Sequence, residues 1–353
     1  MDTDNKTEHP DKLRSGAGRT GSIEHRPVIF YITRGGHELA KKIAGLYPDA
    51  DLLKFNTVLF ASKWRKAGKI ICIMATGIVV RTMAFLLEDK KNDPAVVVLD
   101  EKGKYAVSLL SGHIGGANAL AKRIADYIGG YAVITTASDV QGKVALDLWA
   151  AERNLFVEDH EKLKRLSAKI VNGKKIKVHS GYSFNEKQMP EEFIMVEPND
   201  KPDIIISHCL FDSKALFLRP GNLFVGIGCN RGTSVNEIEE VTRSILEEEK
   251  LSFSSIGSLA TIDIKRDEQG LIDFAGSNEM NIDFFSKDDL NNTALTHNIK
   301  VSDIVKTATG AGAVAEPAAL LSAQRSFGNC VIITPKEKRG NVTLAIAKAE
   351  YLL

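Results

Sequence analysis

Three glycine-bearing stretches early in the chain carry the side chains best suited to chemistry. Ser111-Gly112-His113-Ile114-Gly115-Gly116 sets an imidazole among three glycines, just after a short apolar run. Thr33-Arg34-Gly35-Gly36-His37 pairs a second histidine with an arginine, and Ala75-Thr76-Gly77-Ile78-Val79-Val80-Arg81 supplies another guanidinium. An imidazole titrates near neutrality, so it can take a proton from water and return it within one turnover. A guanidinium binds a carboxylate bidentately, and the free N–H groups of a helix start favour the same anions. Glycine lets the main chain approach a ligand closely, at a cost in backbone entropy. Taken singly, each stretch is better read as a tight strand-to-helix turn with no ligand. Together, with Arg34, His37, Thr76, Arg81 and His113, they point to an anion site, which Asn118 also borders.

Two later stretches have similar character. Gly226-Ile227-Gly228-Cys229-Asn230-Arg231-Gly232-Thr233-Ser234 follows an apolar run and leads into a capping box, Ser234-Val235-Asn236-Glu237. Its spacing is G-x-G-x-x-x-G, not the G-x-G-x-x-G of dinucleotide sites, so a nucleotide reading has little support. Cys229 is either a nucleophile or a packing thiol at a strand end, and no histidine lies near it in sequence. Thr309-Gly310-Ala311-Gly312-Ala313-Val314-Ala315-Glu316 opens a further helix. Glu316 there complements the helix dipole, holds a substrate group or acts as a base. Neither stretch has a Walker lysine, and H-E-x-x-H, G-x-S-x-G and clustered metal ligands are absent from the sequence.

The elements that must position these residues alternate. VIFYIT (28–33), KIICIM (69–74), AVVVLD (95–100), KYAVSLL (104–110) and YAVITT (131–136) read as buried strands. Helical spacing runs through 35–47, through VVRTMAFLLE and through 117–129. Such alternation predicts an α/β unit with a mostly parallel sheet covered on both faces. From Val144 to Pro220 the elements shorten and polar, proline-bearing links appear, as expected of a smaller α/β middle domain. LFVGIG (223–228) opens a third α/β unit, again with a mostly parallel sheet, which CVIITP (330–335) and VTLAIA (342–347) close. The expected organisation is a mobile tail over 1–26 and domains over 27–145, 146–220 and 221–353.

Composition narrows the function. A chain of 353 residues suggests two or three domains, and 46 Lys+Arg against 45 Asp+Glu with no long basic block argues against a nucleic-acid binder. No apolar run reaches the roughly 18 residues of a membrane helix, and the polar start has no signal core. Cys72, Cys209, Cys229 and Cys330 lie far apart, so neither a zinc site nor a disulfide framework follows, and a reducing cytoplasm fits. The residues alone lead to an α/β protein that holds a polycarboxylate or phosphorylated ligand.

The run ICIMATGIVVRTMAFLLEDKKNDPAVVVLDEKGKYAVSLLSGHIGGANALAKRIADYIGGYAVITTASD resembles the N-terminal domain of the cobalamin-biosynthesis CbiG family. VGIGCNRGTSVNEIEEV, SLATIDIKRDEQGLIDFA and GAGAVAEPAALL resemble that family's C-terminal domain, and the likeness extends over residues 28–353. Phe85 departs from the pattern, standing where proline is expected. The resemblance implies a cobalt-precorrin-5A hydrolase, which opens a δ-lactone on a corrinoid ring and releases the two-carbon unit as acetaldehyde. The competing implication is a non-catalytic carrier of the same intermediate.

On the first implication cobalt arrives within the substrate and the protein needs no cofactor or metal ligands of its own. Carboxylates around the macrocycle suit Arg34, Arg81, Arg231 and the loops at Gly35, Gly36, Thr76, Gly77, Ser111, Gly112, Gly226, Gly228, Cys229, Gly310 and Gly312. His113 is the first choice for general base, with the Gly115 and Gly116 N–H groups as oxyanion donors. His37 and Glu316 stand behind it. A homodimer and transient contacts with the pathway's methyltransferases are further expectations, as is the lack of nucleic-acid or membrane partners.

Overall fold

The computed structural model describes residues 26–89, 92–113, 115–137, 141–184 and 188–353. The expected tail over 1–26 lies, apart from Arg26, outside them. The described residues fall into two compact units, one of 26–151 with 167–174 and the other of 152–166 with 175–353.

The first unit is built on β1 (Val28–Tyr31), β2 (Asp51–Lys54), β3 (Lys69–Ile73), β4 (Ala95–Leu99), β5 (Tyr105–Leu110) and β6 (Tyr131–Val133), ordered β2-β1-β3-β4-β5-β6. Its helices are α1 (Arg34–Ala44), α2 (Thr57–Trp64), α3 (Thr76–Met83), α4 (Ala117–Ile128) and α5 (Leu146–Glu152). Strand residues alternate between two buried faces. Ile29, Ile71, Val97 and Leu99 pack with α1 and α4, while Phe30, Ile70, Cys72 and Val98 pack with α2 and α3. Burial on both sides explains the continuous apolar runs.

One pairing decides where the chemistry can lie. β1, β2, β3 and β4 are mutually parallel, but β5 runs antiparallel to β4, with Val96 opposite Leu110 and Leu99 opposite Ala106. β6 follows the direction of β5. The carboxyl ends of β1, β3 and β4 therefore share one edge of the sheet, and those of β5 and β6 the other.

The second unit holds two sheets. β7 (Leu155–Val157), β8 (Ile176–Ser180), β9 (Phe193–Met195), β10 (Ile204–Ile206) and β11 (Leu216–Pro220) form one, ordered β7-β11-β10-β8-β9 with only β7 antiparallel. α6 (His160–Val171) lies between β7 and β8 in the chain. The other comprises β12 (Leu223–Cys229), β13 (Ile256–Ile262), β14 (Ile282–Phe285), β15 (Cys330–Arg339) and β16 (Val342–Ala349) in the order β14-β13-β12-β16-β15. β12, β13 and β14 are parallel, and the β15–β16 hairpin adds antiparallel to β12. The helices are α7 (Val235–Glu248), α8 (Gln269–Ser277), α9 (Lys287–Thr296), α10 (Asp303–Thr309) and α11 (Ala315–Phe327). Residue 220 thus closes a strand of one sheet, and residue 223 opens a strand of the next.

Candidate active site

At the β1–β3–β4 edge, α1 starts at Arg34. Thr33 caps it, accepting the Gly36 N–H at 3.0 Å. The Thr33 hydroxyl in turn donates to Glu101 Oε1 at 2.9 Å. Glu101 presses so closely on the helix start that a Cβ on Gly35 would lie 2.2 Å from Oε1. The anion seat expected from Arg34-Gly35-Gly36 is therefore filled by the chain's own carboxylate. His37 stacks on Tyr31 with ring centroids 4.5 Å apart. Thr76 opens α3, and the Arg81 guanidinium folds back over Gly77. A pocket of about 510 Å³ here includes Thr33, Thr76, Asp100 and Glu101 in its wall. Burial pushes the Asp100 carboxyl up, but N–H groups of Tyr105, Lys102 and Lys104 outweigh it and hold the group below its usual range. Two carboxylates in one wall make this a poor seat for another anion.

The Ser111–Asn118 loop lies at the opposite edge, because β5 is antiparallel. This corrects the expected single cradle. His113 is separated from Arg34, His37 and Arg81 by the length of β4, roughly 15 Å. The warning was in the sequence: too few residues link AVVVLD to KYAVSLL for a parallel crossover, which needs about a dozen or more.

The loop's glycines have packing reasons. A Cβ on Gly115 would fall 2.4 Å from Ser111 Cβ, and one on Gly112 would fall 2.7 Å from Asn118 Oδ1. Gly116 sits at φ +85° at the start of α4. Ser111 itself adopts φ +55°, an uncommon conformation for a non-glycine residue, and its hydroxyl donates to the Asp93 carbonyl at 3.1 Å. The Gly116 N–H donates to His113 O at 2.8 Å, so it is not the oxyanion donor expected of it. Asn118 is likewise engaged. Its buried side chain accepts from Ser108 Oγ at 2.6 Å and donates to Thr136 Oγ1 at 3.2 Å, bracketing β5 against the segment after β6.

His113 gains a neighbour that sequence reasoning missed. Its Nδ1 lies 3.6 Å from Asp147 Oδ2, with both side chains largely covered. Asp147 stands in the first turn of α5, where an acid usually complements the dipole. Nothing in LDLWAAE marks it as a histidine partner. A carboxylate at that distance stabilises the imidazolium that forms when the ring takes a proton.

In the second unit the carboxyl ends of β12, β13 and β14 gather the remaining candidates. Gly226 is required by packing: a Cβ there would meet Ala315 O at 1.8 Å, so α11 lies directly on β12. Gly228 has more room, the nearest atom being Thr343 Cβ at 3.8 Å. The loop after β12 is tied down by Gly232 N–H, which donates to Glu268 Oε1 at 2.7 Å. Glu268 also accepts from the buried Lys265 ammonium at 2.9 Å. Arg231 pairs with Asp267 at 3.0 Å in solvent. Gly310 ends α10 at φ +78°, and the Gly312 N–H donates to Asn291 Oδ1 at 2.8 Å. Glu316 accepts the Lys336 N–H at 3.3 Å, joining the start of α11 to β15. Burial pushes the Cys229 thiol up, with Lys265 opposing weakly. A protonated thiol is a poor nucleophile, which favours packing. Iodoacetamide at pH 7.5 should therefore alkylate Cys229 about tenfold or more slowly than a free peptide thiol. Mass spectrometry checks this, and equal rates would restore Cys229 as a nucleophile.

Among the described residues, no group of three or more His, Cys, Asp or Glu side chains could hold a metal ion, and no helix is long and apolar enough to cross a membrane.

Comparison with known proteins follows the same divisions. The family model described as cobalamin synthesis G N-terminal matches residues 58–139. The model of the cobalamin biosynthesis central region matches 144–220, and that of the cobalamin synthesis G C-terminus matches 223–347. A protein of Priestia megaterium named cobalt-precorrin-5A hydrolase is 33% identical over 363 residues, spanning 92% of this chain and 95% of its own. One of Salmonella typhimurium with the same name is 32% identical over 357 residues, spanning 91% and 97%. A Methanocaldococcus jannaschii protein named probable cobalt-precorrin-5A hydrolase is 26% identical, spanning 90% and 98%.

Proposed function

The chain belongs to the cobalamin synthesis G (CbiG) family, and from that premise we propose that it is a cobalt-precorrin-5A hydrolase. The observation that carries the reading is likeness along nearly the whole length to two proteins of that name, at 33% and 32% identity. Water adds to the lactone carbonyl and the ring C–O bond breaks, giving a carboxylate and an alcohol. The alcohol then loses its proton, its C–O bond becomes the carbonyl of acetaldehyde, and the electrons of the broken C–C bond pass to the macrocycle. The net change consumes one water and releases one acetaldehyde and two protons, one from the new carboxylic acid and one from the alcohol.

The proton traffic suits His113. The ring accepts a proton from the attacking water, Asp147 stabilises the imidazolium, and the same proton is returned to the leaving oxygen. No described residue accepts the Gly115 N–H, which makes it the loop's candidate for the developing oxyanion in place of Gly116. Cobalt enters within the substrate on this reading, and the reaction takes place in the cytoplasm between methyltransferases of the pathway.

The test is single-turnover incubation with cobalt-precorrin-5A in ¹⁸O-labelled water. One acetaldehyde per substrate, with one labelled oxygen in the new carboxylate, is the expected result. Binding without any acceleration of acetaldehyde release would overturn the hydrolase reading.

A further inference from the structure

A second polar cluster lies inside the second unit, where β16 of the C-terminal sheet approaches the ends of β8 and β10 of the middle sheet. It surrounds a pocket of about 540 Å³ whose wall includes Tyr182, His208, Lys348 and Glu350. The two sheets are joined at this seam by a β-bridge between Cys209 and Leu251, and by the Ser252 N–H, which donates to His208 O at 2.7 Å.

The hydrogen bonds orient the imidazole. The Tyr182 oxygen accepts the His208 backbone N–H at 3.2 Å and lies 2.5 Å from His208 Nδ1 and 3.4 Å from Asn222 Oδ1. The phenol has one hydrogen for these two acceptors: donated to Nδ1 it leaves the neutral ring's hydrogen on Nε2, and donated to Asn222 Oδ1 it makes Nδ1 the donor, so that Nε2 gains its hydrogen when the ring is protonated. No described residue is bonded to Nε2. Asn222 is itself fixed, donating to Ala349 O at 3.2 Å, and Tyr351 packs edge-on against Tyr182.

The charges are unbalanced. Lys348 is half-buried and has no ion-pair partner among the described residues. Arg219, fully buried behind His208, is balanced by Glu158 at 2.7 Å and bonds the carbonyls of Ser207 and Cys209. Glu350, the carboxylate at the rim, is exposed and accepts from Asn329 Nδ2 at 3.0 Å. Burial first, then the Lys348 and Arg219 charges, push His208 down to about 4, while burial pushes the Tyr182 phenol up. The pocket therefore offers an ammonium and an imidazole edge that no described carboxylate pairs with, Glu350 at the rim being bonded to Asn329.

We propose that the pocket bounded by Tyr182, His208 and Lys348 binds a carboxylate, which accepts from His208 Nε2 and pairs with the Lys348 ammonium. The carboxylate comes either from the periphery of a corrinoid or from a free organic acid. The proposal stands apart from the hydrolase reading, since it rests on residues that reading does not use.

The experiment follows the His208 imidazole of the full chain by NMR, with its signal assigned among the eight histidines by a His208→Gln variant. Saturating propionate, matched for ionic strength with chloride, should raise the His208 pKa by about one unit or more, because a bound anion favours the imidazolium. Lys348→Met should raise it without any ligand, by removing a neighbouring cation, and should weaken propionate binding about tenfold. The same variant is then titrated with a cobalt corrinoid bearing free carboxylate side chains. Weaker corrinoid binding identifies the substrate periphery as the source, and unchanged corrinoid binding identifies a free acid. A His208 titration indifferent to propionate up to about 50 mM and to the corrinoid, or a propionate response unchanged by Lys348→Met, would overturn the site. The wild-type titration decides even where Lys348→Met fails to fold.

Discussion

Replacing His113 with asparagine is expected to slow acetaldehyde release by roughly 10²–10⁴-fold, the usual share of a general base. Asparagine keeps a polar group of similar size in the Ser111–Gly116 loop but cannot take a proton at neutral pH. Binding of the corrinoid should change little, so the loss appears in the single-turnover rate rather than in affinity. The pH profile supplies an independent readout. The parent enzyme should lose activity on the acid side as the imidazole becomes protonated, and the His113→Asn variant should lose that limb. Asp147→Asn should retain the limb with a smaller loss, because it removes a stabilising charge and not the base. His37→Asn should be near the parent rate, since His37 stands at the other edge of the sheet, stacked on Tyr31. Were His113→Asn to release acetaldehyde at the parent rate, His113 is not the base and His37 and Glu316 become the residues to test.

The contrast between the two histidines shows what the sequence carried and what it did not. The strands of the first unit were legible because both their faces are buried, so VIFY, KIICI and AVVVL contain almost nothing polar. β2 escaped notice because DLLK is a short edge strand, only partly buried, with charge at both ends. Strand direction has no signature in apolar content, and so the three glycine loops read as one cradle when β5 in fact parts them. Loop length was the available clue, and it points the other way from composition. The partners of the candidate residues were less accessible still. Glu101 reaches Thr33 over 68 residues of sequence, and Asp147 reaches His113 from another helix. Such pairings are set by the sheet order, which no local pattern encodes. In the second unit the glycines were visible but their meaning was not, since a glycine needed for a ligand and one needed for a crossing helix look alike.

Gly226 and Gly228 separate those two meanings within one motif. A methyl on Gly226 would stand 1.8 Å from Ala315 O and 3.0 Å from the Ala319 nitrogen, both backbone atoms of α11. Neither can be relieved by a rotamer change, so α11 must lift from β12 and disturb the small-residue packing of Ala319 and Ala323 beneath it. Overpacking of a core commonly costs about 1–3 kcal/mol, and a clash with backbone belongs at or beyond the upper end of that range. Gly226→Ala should therefore destabilise the second unit by about 3 kcal/mol or more, seen as a lower denaturant midpoint with an unchanged m-value. Gly228 has no such neighbour and does not use positive φ, so Gly228→Ala should cost under about 1 kcal/mol. If the pair instead served close approach to a ligand, as in a dinucleotide loop, the order would reverse. Gly228→Ala would then weaken ligand binding at unchanged stability, and Gly226→Ala would fold normally. Equal, small effects of both substitutions on the midpoint would show that α11 is not seated on β12 as described.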